Sequence, residues 1–223
     1  LLITTGACAI NCRYCFRRHF PYADHQQSRH EKALAAVQND QSIEEVILSG
    51  GDPLLLDDSA LQRLVDSLAN IRHLQRLRIH TRIPVVLPSR VTQALVEMLS
   101  TSRLDVVVVI HSNHAQELDA ATARSLAALS NAGIHLLNQA VLLKGVNDNL
   151  PAQIALAKTL FGQRVMPYYL HLPDRVAGTA HFFINDNDAV KLHHNMQAHL
   201  PGYLVAKLVR EQAGEVSKTI VSN

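Results

Sequence analysis

The sequence contains no tryptophan, only 4% aromatic residues and no apolar run long enough to span a membrane, since its longest, Val106 to Ile110, is far too short. Its first residues lack the basic flank and cleavage signal of a secretory peptide. No linker rich in glycine, serine or proline, no low-complexity tract and no short internal repeat divides the chain. We therefore expect a cytoplasmic protein with a single domain over residues 1–223.

A surplus of positive charge is also missing. The net charge is +2, because 21 lysine and arginine residues are dispersed among 19 aspartate and glutamate residues. A nucleic-acid-binding domain usually carries a basic face that neutralises phosphates. The charge balance therefore argues against nucleic acid as a partner, and the missing apolar span argues against a membrane.

Cysteine is scarce and confined to one place. The chain has three cysteines, Cys8, Cys12 and Cys15. Secreted disulfide scaffolds carry even numbers of well-spread cysteines, whereas an odd, clustered set indicates a reducing compartment. The set therefore predicts a metal, cluster or redox site.

Apolar, β-branched segments alternate with helical patterns along the chain. The predicted strands are 1–5, 45–48, 77–80, 104–110, 134–143 and 165–172, and the predicted helices are 31–38, 60–69, 92–99, 117–133, 152–162 and 186–199. A strand and helix unit thus repeats about six times, which is typical of a parallel sheet with helices outside. We predict an α/β fold, a partial TIM barrel of about six βα units with a C-terminal extension.

Polar residues collect where the predicted strands end. These segments are the cysteine loop, "SGGDP" at 49–53, "HTRIP" at 80–84, "HSNH" at 111–114, "NQ" at 138–139 and "YYLHLPD" at 168–174. In barrels of this kind the chemistry lies at the carboxyl ends of the strands. The pattern predicts a site on that rim, although βα loops are polar in any barrel.

Three thiolates in one short loop can bind three irons of a [4Fe-4S] cluster and leave the fourth iron open to a substrate or cofactor. The nearby arginines can balance the charge of the cluster or pair with an anionic ligand; they are Arg13, Arg17 and Arg18. The alternative is a zinc knuckle completed by His19 or His25, although the usual repeated Cys-x2-Cys pairs are absent.

The loop "CAINCRYC" resembles the Cys-x3-Cys-x2-Cys loop of radical S-adenosylmethionine (SAM) enzymes, including the aromatic Tyr14 before the third cysteine. The resemblance implies that Cys8, Cys12 and Cys15 hold the cluster and that SAM binds its open iron. It also implies that a 5′-deoxyadenosyl radical takes hydrogen from an unactivated carbon. "SGGDP" resembles the glycine-rich second loop of that family, so Gly50, Gly51 and Asp52 are expected to approach SAM.

A longer resemblance covers nearly the whole sequence. The segments "CRYCFRRHF", "SGGDPL", "TRIPVVLPSRVT", "HSNH", "NQAVLLKGVND", "PYYLHLPD" and "SKT" resemble those of lysine 2,3-aminomutases. The resemblance implies that His111 and Gln139 lie beside SAM. It also implies that Arg17 binds the carboxylate of an L-lysine substrate and Asp174 its distant ammonium.

Those aminomutases also use pyridoxal 5′-phosphate (PLP), and the match for the lysine that binds it is Lys218, in a C-terminal segment over 200–223. A Schiff base needs an amine that can lose its proton. The segment departs from the usual family pattern, with Glu211 where an aspartate is typical and no glycine-rich run before the lysine. The family also has an upstream segment with PLP-phosphate contacts, so we expect such a segment before Leu1.

With these departures, the segment "LVREQAGEVSKT" resembles that of a bacterial subgroup. The product of that subgroup, (R)-β-lysine, passes to the modification of translation elongation factor P. The implied activity is that of an isomerase catalysing a 1,2-amino shift; the oligomeric state, including a homo-oligomer, is left open. The alternatives are a lysine 2,3-aminomutase of lysine catabolism, a radical SAM enzyme without PLP, and a zinc-stabilised binding module.

Overall fold

The computed structural model describes residues 1–17, 28–212 and 214–222. In those residues the strands are β1 (Leu2–Thr5), β2 (Glu45–Gly50), β3 (Arg76–Thr81), β4 (Asp105–His111), β5 (His135–Val141), β6 (Met166–His171), β7 (Lys207–Arg210) and β8 (Thr219–Ile220). The helices are α1 (Ser28–Asn39), α2 (Asp58–Ala69), α3 (Ile83–Val86), α4 (Gln93–Ser100), α5 (Ala120–Asn131), α6 (Leu150–Gly162) and α7 (Asp186–His199).

The strands form one sheet whose order follows the chain from β1 to β8. Strands β1 to β7 are parallel, and β8 is antiparallel to β7. This confirms the predicted α/β fold with a parallel sheet. In the described part of the chain β1 and β8 are the two edges, so the sheet is a partial barrel. The C-terminal extension contributes β7 and β8, which the sequence pattern did not predict.

The two faces of the sheet differ in character. In β3 every second residue, Leu77, Ile79 and Thr81, is buried on the face that the helices cover. Arg78 and His80 alternate with them on the inner, concave face and are half-buried. Because strand side chains alternate with a period of two, a polar inner face is available for a site while the outer face forms the core.

Short polar side chains begin the helices that cover the outer face. Asp57 accepts a hydrogen bond from the Ala60 amide at the start of α2, and Asn149 does the same for Ala152 in α6. Each such cap satisfies an amide that the first helical turn leaves unpaired. Across the described ranges, none of these helices has both the length and the apolar character that a bilayer crossing requires.

Candidate active site

The cysteine loop follows β1 and is docked against the end of β2. The Gly51 amide donates to the Thr5 carbonyl over 2.7 Å, and the Asp52 amide donates to the Ala7 carbonyl, also over 2.7 Å. A Cβ atom at Gly50, where φ is +125°, would lie 2.5 Å from the Thr5 carbonyl oxygen, and one at Gly51 would lie 2.2 Å from that of Ala7. Both glycines are therefore required for the loop to sit where it does.

Asp52 joins the end of β2 to the end of β3. Its carboxylate is buried and accepts hydrogen bonds from the Thr81 hydroxyl at 2.7 Å, the Arg82 amide at 2.7 Å and the Leu54 amide at 3.1 Å. Burial raises the pKa of Asp52, and these hydrogen bonds oppose the rise. The carboxylate thus has a structural task, and its predicted contact with SAM stays a prediction.

The three cysteines lie together at this rim. Cys8 is exposed, Cys12 and Cys15 are half-buried, and the Cys15 amide donates to the Cys12 carbonyl over 3.1 Å. Burial raises the pKa of Cys8; Asp52 and the other two thiols act in the same direction, and Arg17 opposes them. Binding three thiolates here therefore requires positive charge nearby.

Arg82, directly after β3, supplies such a charge. Its Nη1 donates to Cys12 Sγ at 2.8 Å and to the Tyr14 hydroxyl at 2.7 Å, while Nη2 donates to Glu117 Oε2 at 2.5 Å. Sequence reasoning did not select Arg82 or Glu117. The signal that could have found Arg82 is its place in "HTRIP", at the carboxyl end of a predicted strand.

His111 and Gln139, predicted to lie beside SAM, are neighbours in the register of β4 and β5. His111 Nε2 lies 3.2 Å from the Tyr14 hydroxyl, which also accepts from Asn113 Nδ2 at 2.7 Å. Burial, followed by the charge of Arg82, lowers the pKa of His111 to about 3, so its ring is neutral at physiological pH. The geometry brings His111 and Gln139 to the rim that carries the cysteines.

The C-terminal segment places Lys218 on the inner face. Its Nζ lies 3.0 Å from Glu211 Oε2 and 5.5 Å from the centroid of the Tyr169 ring. Burial raises the pKa of Asp174; Glu211 adds to the rise and Lys218 opposes it. The two predicted residues Lys218 and Asp174 are thus both affected by the charge of Glu211.

His80, on the inner face of β3, is affected by charges from both ends of the chain. Burial lowers its pKa to about 3, and the charges of Arg78, Lys218 and Arg17 act in the same direction. Arg17 donates to Ser49 Oγ at 2.8 Å and to the Gly50 carbonyl at 3.1 Å. Arg17 is thereby held at the end of β2.

The three cysteines fit an iron–sulfur cluster better than a single metal ion. In residues 1–17, 28–212 and 214–222, no three His, Cys, Asp or Glu side chains are arranged to hold one metal ion. A cubane instead takes each thiolate on a different iron, which suits three cysteines spread over one loop. Within the same described ranges, Arg82 Nε is buried and has no hydrogen-bond partner. It is therefore a free donor beside the cysteine loop. Arg18 and the histidines of the zinc alternative, His19 and His25, lie outside the described residues.

A partial barrel with three cysteines after its first strand defines the class of radical SAM enzymes. Residues 2–155 match the model of the Radical SAM superfamily, and the chain belongs to that superfamily. Membership implies a [4Fe-4S] cluster and SAM. Within the superfamily the chain is a homologue of L-lysine 2,3-aminomutases.

It is 48% identical to the L-lysine 2,3-aminomutase of Escherichia coli, over 98% of this chain and 65% of the relative. It is also 48% identical to that of Haemophilus influenzae, over 99% of this chain and 66% of the relative. It is 36% identical to the L-lysine 2,3-aminomutase of Clostridium subterminale, over 99% of this chain and 54% of the relative. The chain therefore spans about two thirds of the length of the first two relatives and about half that of the third.

Solved structures share the fold. Native anSMEcpe with bound AdoMet and Kp18Cys peptide matches with a TM-score of 0.67 at 14% identity, over 89% of this chain and 59% of that one. A point mutant of spore photoproduct lyase matches with a TM-score of 0.58 at 11% identity, over 88% of this chain and 72% of that one. These likenesses confirm the predicted partial barrel.

Proposed function

We propose that this chain is the catalytic core of an isomerase that converts L-α-lysine to (R)-β-lysine by a 1,2-amino shift. The proposal places a [4Fe-4S] cluster on Cys8, Cys12 and Cys15, SAM on the cluster, and PLP on Lys218. The 48% identity to two L-lysine 2,3-aminomutases over nearly the whole chain supports the reaction.

The observation that carries the proposal is the position of Lys218, whose Nζ lies 3.0 Å from Glu211 Oε2 and 5.5 Å from the centroid of the Tyr169 ring. Without tertiary structure, a lysine close to a C-terminus is most often a solvated surface residue. Here Lys218 lies on the inner face, on the ring of Tyr169 and beside Glu211. That position supports a lysine that binds a cofactor within reach of the cysteine rim.

When bound, the cluster and SAM supply a radical that takes hydrogen from an unactivated carbon, and PLP supplies a carrier for the migrating amino group. The residues of the chain position these groups. His111 and Gln139 lie side by side near Tyr14, where they can contact SAM. Since its ring is neutral, His111 adds hydrogen bonding without adding charge.

Arg17 is proposed to bind the substrate carboxylate. A guanidinium can form two parallel hydrogen bonds with a carboxylate, and Arg17 is held at the rim by Ser49 and Gly50. Asp174 is proposed to bind the distant ammonium of lysine. Its burial beside Glu211 destabilises the carboxylate, and an incoming cation would relieve that cost.

Glu211 is proposed to act on Lys218. Lys218 must lose a proton before it can bond to a carbonyl carbon. Glu211 Oε2, 3.0 Å from Nζ, is placed to hold or accept that proton. This contact gives Glu211 a task other than binding substrate ammonium, for which the family pattern has an aspartate.

The product is proposed to supply the modification of elongation factor P. The C-terminal segment "LVREQAGEVSKT" supports this assignment through its resemblance to the subgroup with that role. A lysine 2,3-aminomutase of lysine catabolism would run the same reaction, so the destination of the product needs a separate test: transfer of labelled β-lysine to purified elongation factor P by its ligase.

The activity is tested by anaerobic reconstitution of the full-length protein with iron, sulfide and PLP. SAM, a reductant and labelled L-lysine are then added, and the products are separated on a chiral column. We expect (R)-β-lysine from the wild type and none from Lys218→Ala. The variant should keep its cluster and lose the visible absorption of bound PLP, whereas Lys191→Ala, an exposed lysine on α7, should behave as the wild type.

The alternatives give different results. If Lys218→Ala retains full activity on another substrate and neither protein shows PLP absorption, the chain is a radical SAM enzyme without PLP. If anaerobically purified protein is colourless, holds zinc and leaves SAM intact, it is a binding module and the proposal fails.

A further inference from the structure

Arg82 contacts the cysteine loop, yet it belongs to none of the proposed cofactor or substrate sites. One of its terminal nitrogens bridges Cys12 Sγ, at 2.8 Å, and the Tyr14 hydroxyl, at 2.7 Å. The guanidinium also lies over the Tyr14 ring, with its central carbon 5.9 Å from the centroid. The side chain is only 17% exposed, so water does little to screen its charge.

The position of Arg82 is fixed from two sides. Its own backbone amide donates to buried Asp52, and its second terminal nitrogen donates to Glu117 Oε2 at 2.5 Å. Glu117 is itself held, because its other carboxylate oxygen accepts from the amides of Asn113, at 2.8 Å, and His114, at 3.0 Å. A charge held this firmly needs no reorganisation when the charge of its neighbour changes.

A cation next to a cluster ligand has a definite electrical effect. Reduction adds one electron to the cluster, and a nearby positive charge stabilises the more negative reduced form. A hydrogen bond to the ligating sulfur acts in the same direction, because it withdraws electron density from the thiolate. Both effects raise the reduction potential.

We propose that Arg82 is a positioning residue that orients the Cys12 thiolate and raises the reduction potential of the cluster, which makes the electron needed for SAM cleavage easier to supply. The proposal rests on the cluster assigned above. It concerns one electron, delivered by an external reductant, and involves no bond to Arg82.

The test is a redox titration of the reconstituted full-length protein with dithionite, followed by electron paramagnetic resonance of the reduced cluster. We expect Arg82→Gln to shift the equilibrium toward the oxidised cluster by about tenfold, which corresponds to a potential about 59 mV lower for a one-electron couple. Arg82→Lys keeps the charge and should recover much of that shift. Arg63→Gln removes an equal charge from an exposed position on α2 and should leave the potential unchanged.

A merely structural Arg82 would give a different result. If Arg82→Gln binds as much iron as the wild type and has the same potential, the proposal is wrong, while SAM cleavage by the wild type still supports the proposed function. A wild type that assembles no cluster overturns both.

A second measurement decides the case if Arg82→Gln does not retain a cluster. Wild-type protein and Arg82→Lys are labelled with arginine carrying ¹⁵N in the guanidinium, and the reduced clusters are studied by pulsed electron paramagnetic resonance. We expect a ¹⁵N coupling in the wild type that is lost in Arg82→Lys. Identical spectra from the two proteins would overturn the contact with the cluster ligand.

Discussion

Asp52 holds two strand ends in the positions that the cysteine loop requires. Its two carboxylate oxygens accept from Thr81, Arg82 and Leu54, and the Asp52 side chain is itself buried. In Asp52→Asn, an amide NH₂ replaces one of these acceptors and faces a donor. We expect the free energy of unfolding to fall by about 1–3 kcal/mol, measured by denaturant unfolding.

The matched control for that change is Asp66→Asn. Asp66 is exposed on α2, where its carboxylate accepts from the side chain of Gln62 at 2.7 Å. An exposed substitution of this kind changes stability by less than about 0.5 kcal/mol. Equal stabilities of the two variants would contradict the role given to Asp52.

Site residues that lie close together in the sequence could be predicted from their spacing. Site residues that act through long-range contacts could not. The cysteines lie within one loop, so their spacing alone indicated a cluster. Arg82 reaches Cys12 across 70 positions of the chain, and its partner Glu117 lies 35 further positions away. Its place after a predicted strand puts Arg82 on the rim, but no local pattern shows that it contacts Cys12, because that contact depends on which strand ends meet.

At the scale of elements, the docking of the cysteine loop on β2 depends on a close approach of two backbones. A Cβ at position 51 would lie 2.2 Å from the Ala7 carbonyl oxygen and would displace the loop. We expect Gly51→Ala to cost roughly 1–3 kcal/mol in stability, as overpacking does. The iron bound per chain after reconstitution should fall several-fold, measured by colorimetric iron assay.

Gly162→Ala is the control for the glycine substitution. Gly162 is the last residue of α6, and a Cβ there meets nothing within 4 Å. We expect iron binding of the wild-type level and a stability within about 1 kcal/mol of it, since alanine favours helices. Normal iron binding by Gly51→Ala would show that the loop is not held in this way.

The strands that the sequence pattern missed have a common physical reason. β7 is four residues long and β8 only two, which is too short for alternation to be visible. Ile220 in β8 is exposed, and β8 exists because Val209 and Arg210 of β7 offer an edge to pair with. The longer strands β3, β4 and β5 have a neighbouring strand on both sides and could be predicted from the alternating apolar residues of β3 and the apolar segments of β4 and β5.

At the scale of the whole molecule, the partial barrel brings the first and last segments of the chain to one polar inner face. Such a face has an energetic cost, because it removes ionisable groups from water. His80 on β3 and His171 on β6 show that cost. Burial lowers the pKa of His80 to about 3 and that of His171 to about 4, and the charge of Lys218 adds to both effects.

Acid should therefore destabilise the fold through this face. The unfolded imidazoles take up protons near pH 6.5, and His171 in the folded state does so only near pH 4. Stability is complete above pH 6.5 and falls as the pH drops toward 4, where His171 alone accounts for about 3 kcal/mol. Denaturant unfolding of the apoprotein between these pH values should show a smaller loss for His171→Gln than for the wild type. His194→Gln, which changes an exposed histidine on α7, should lose as much stability as the wild type over this pH range. If His171→Gln lost the same amount as these two proteins, the role given to the inner face would be refuted.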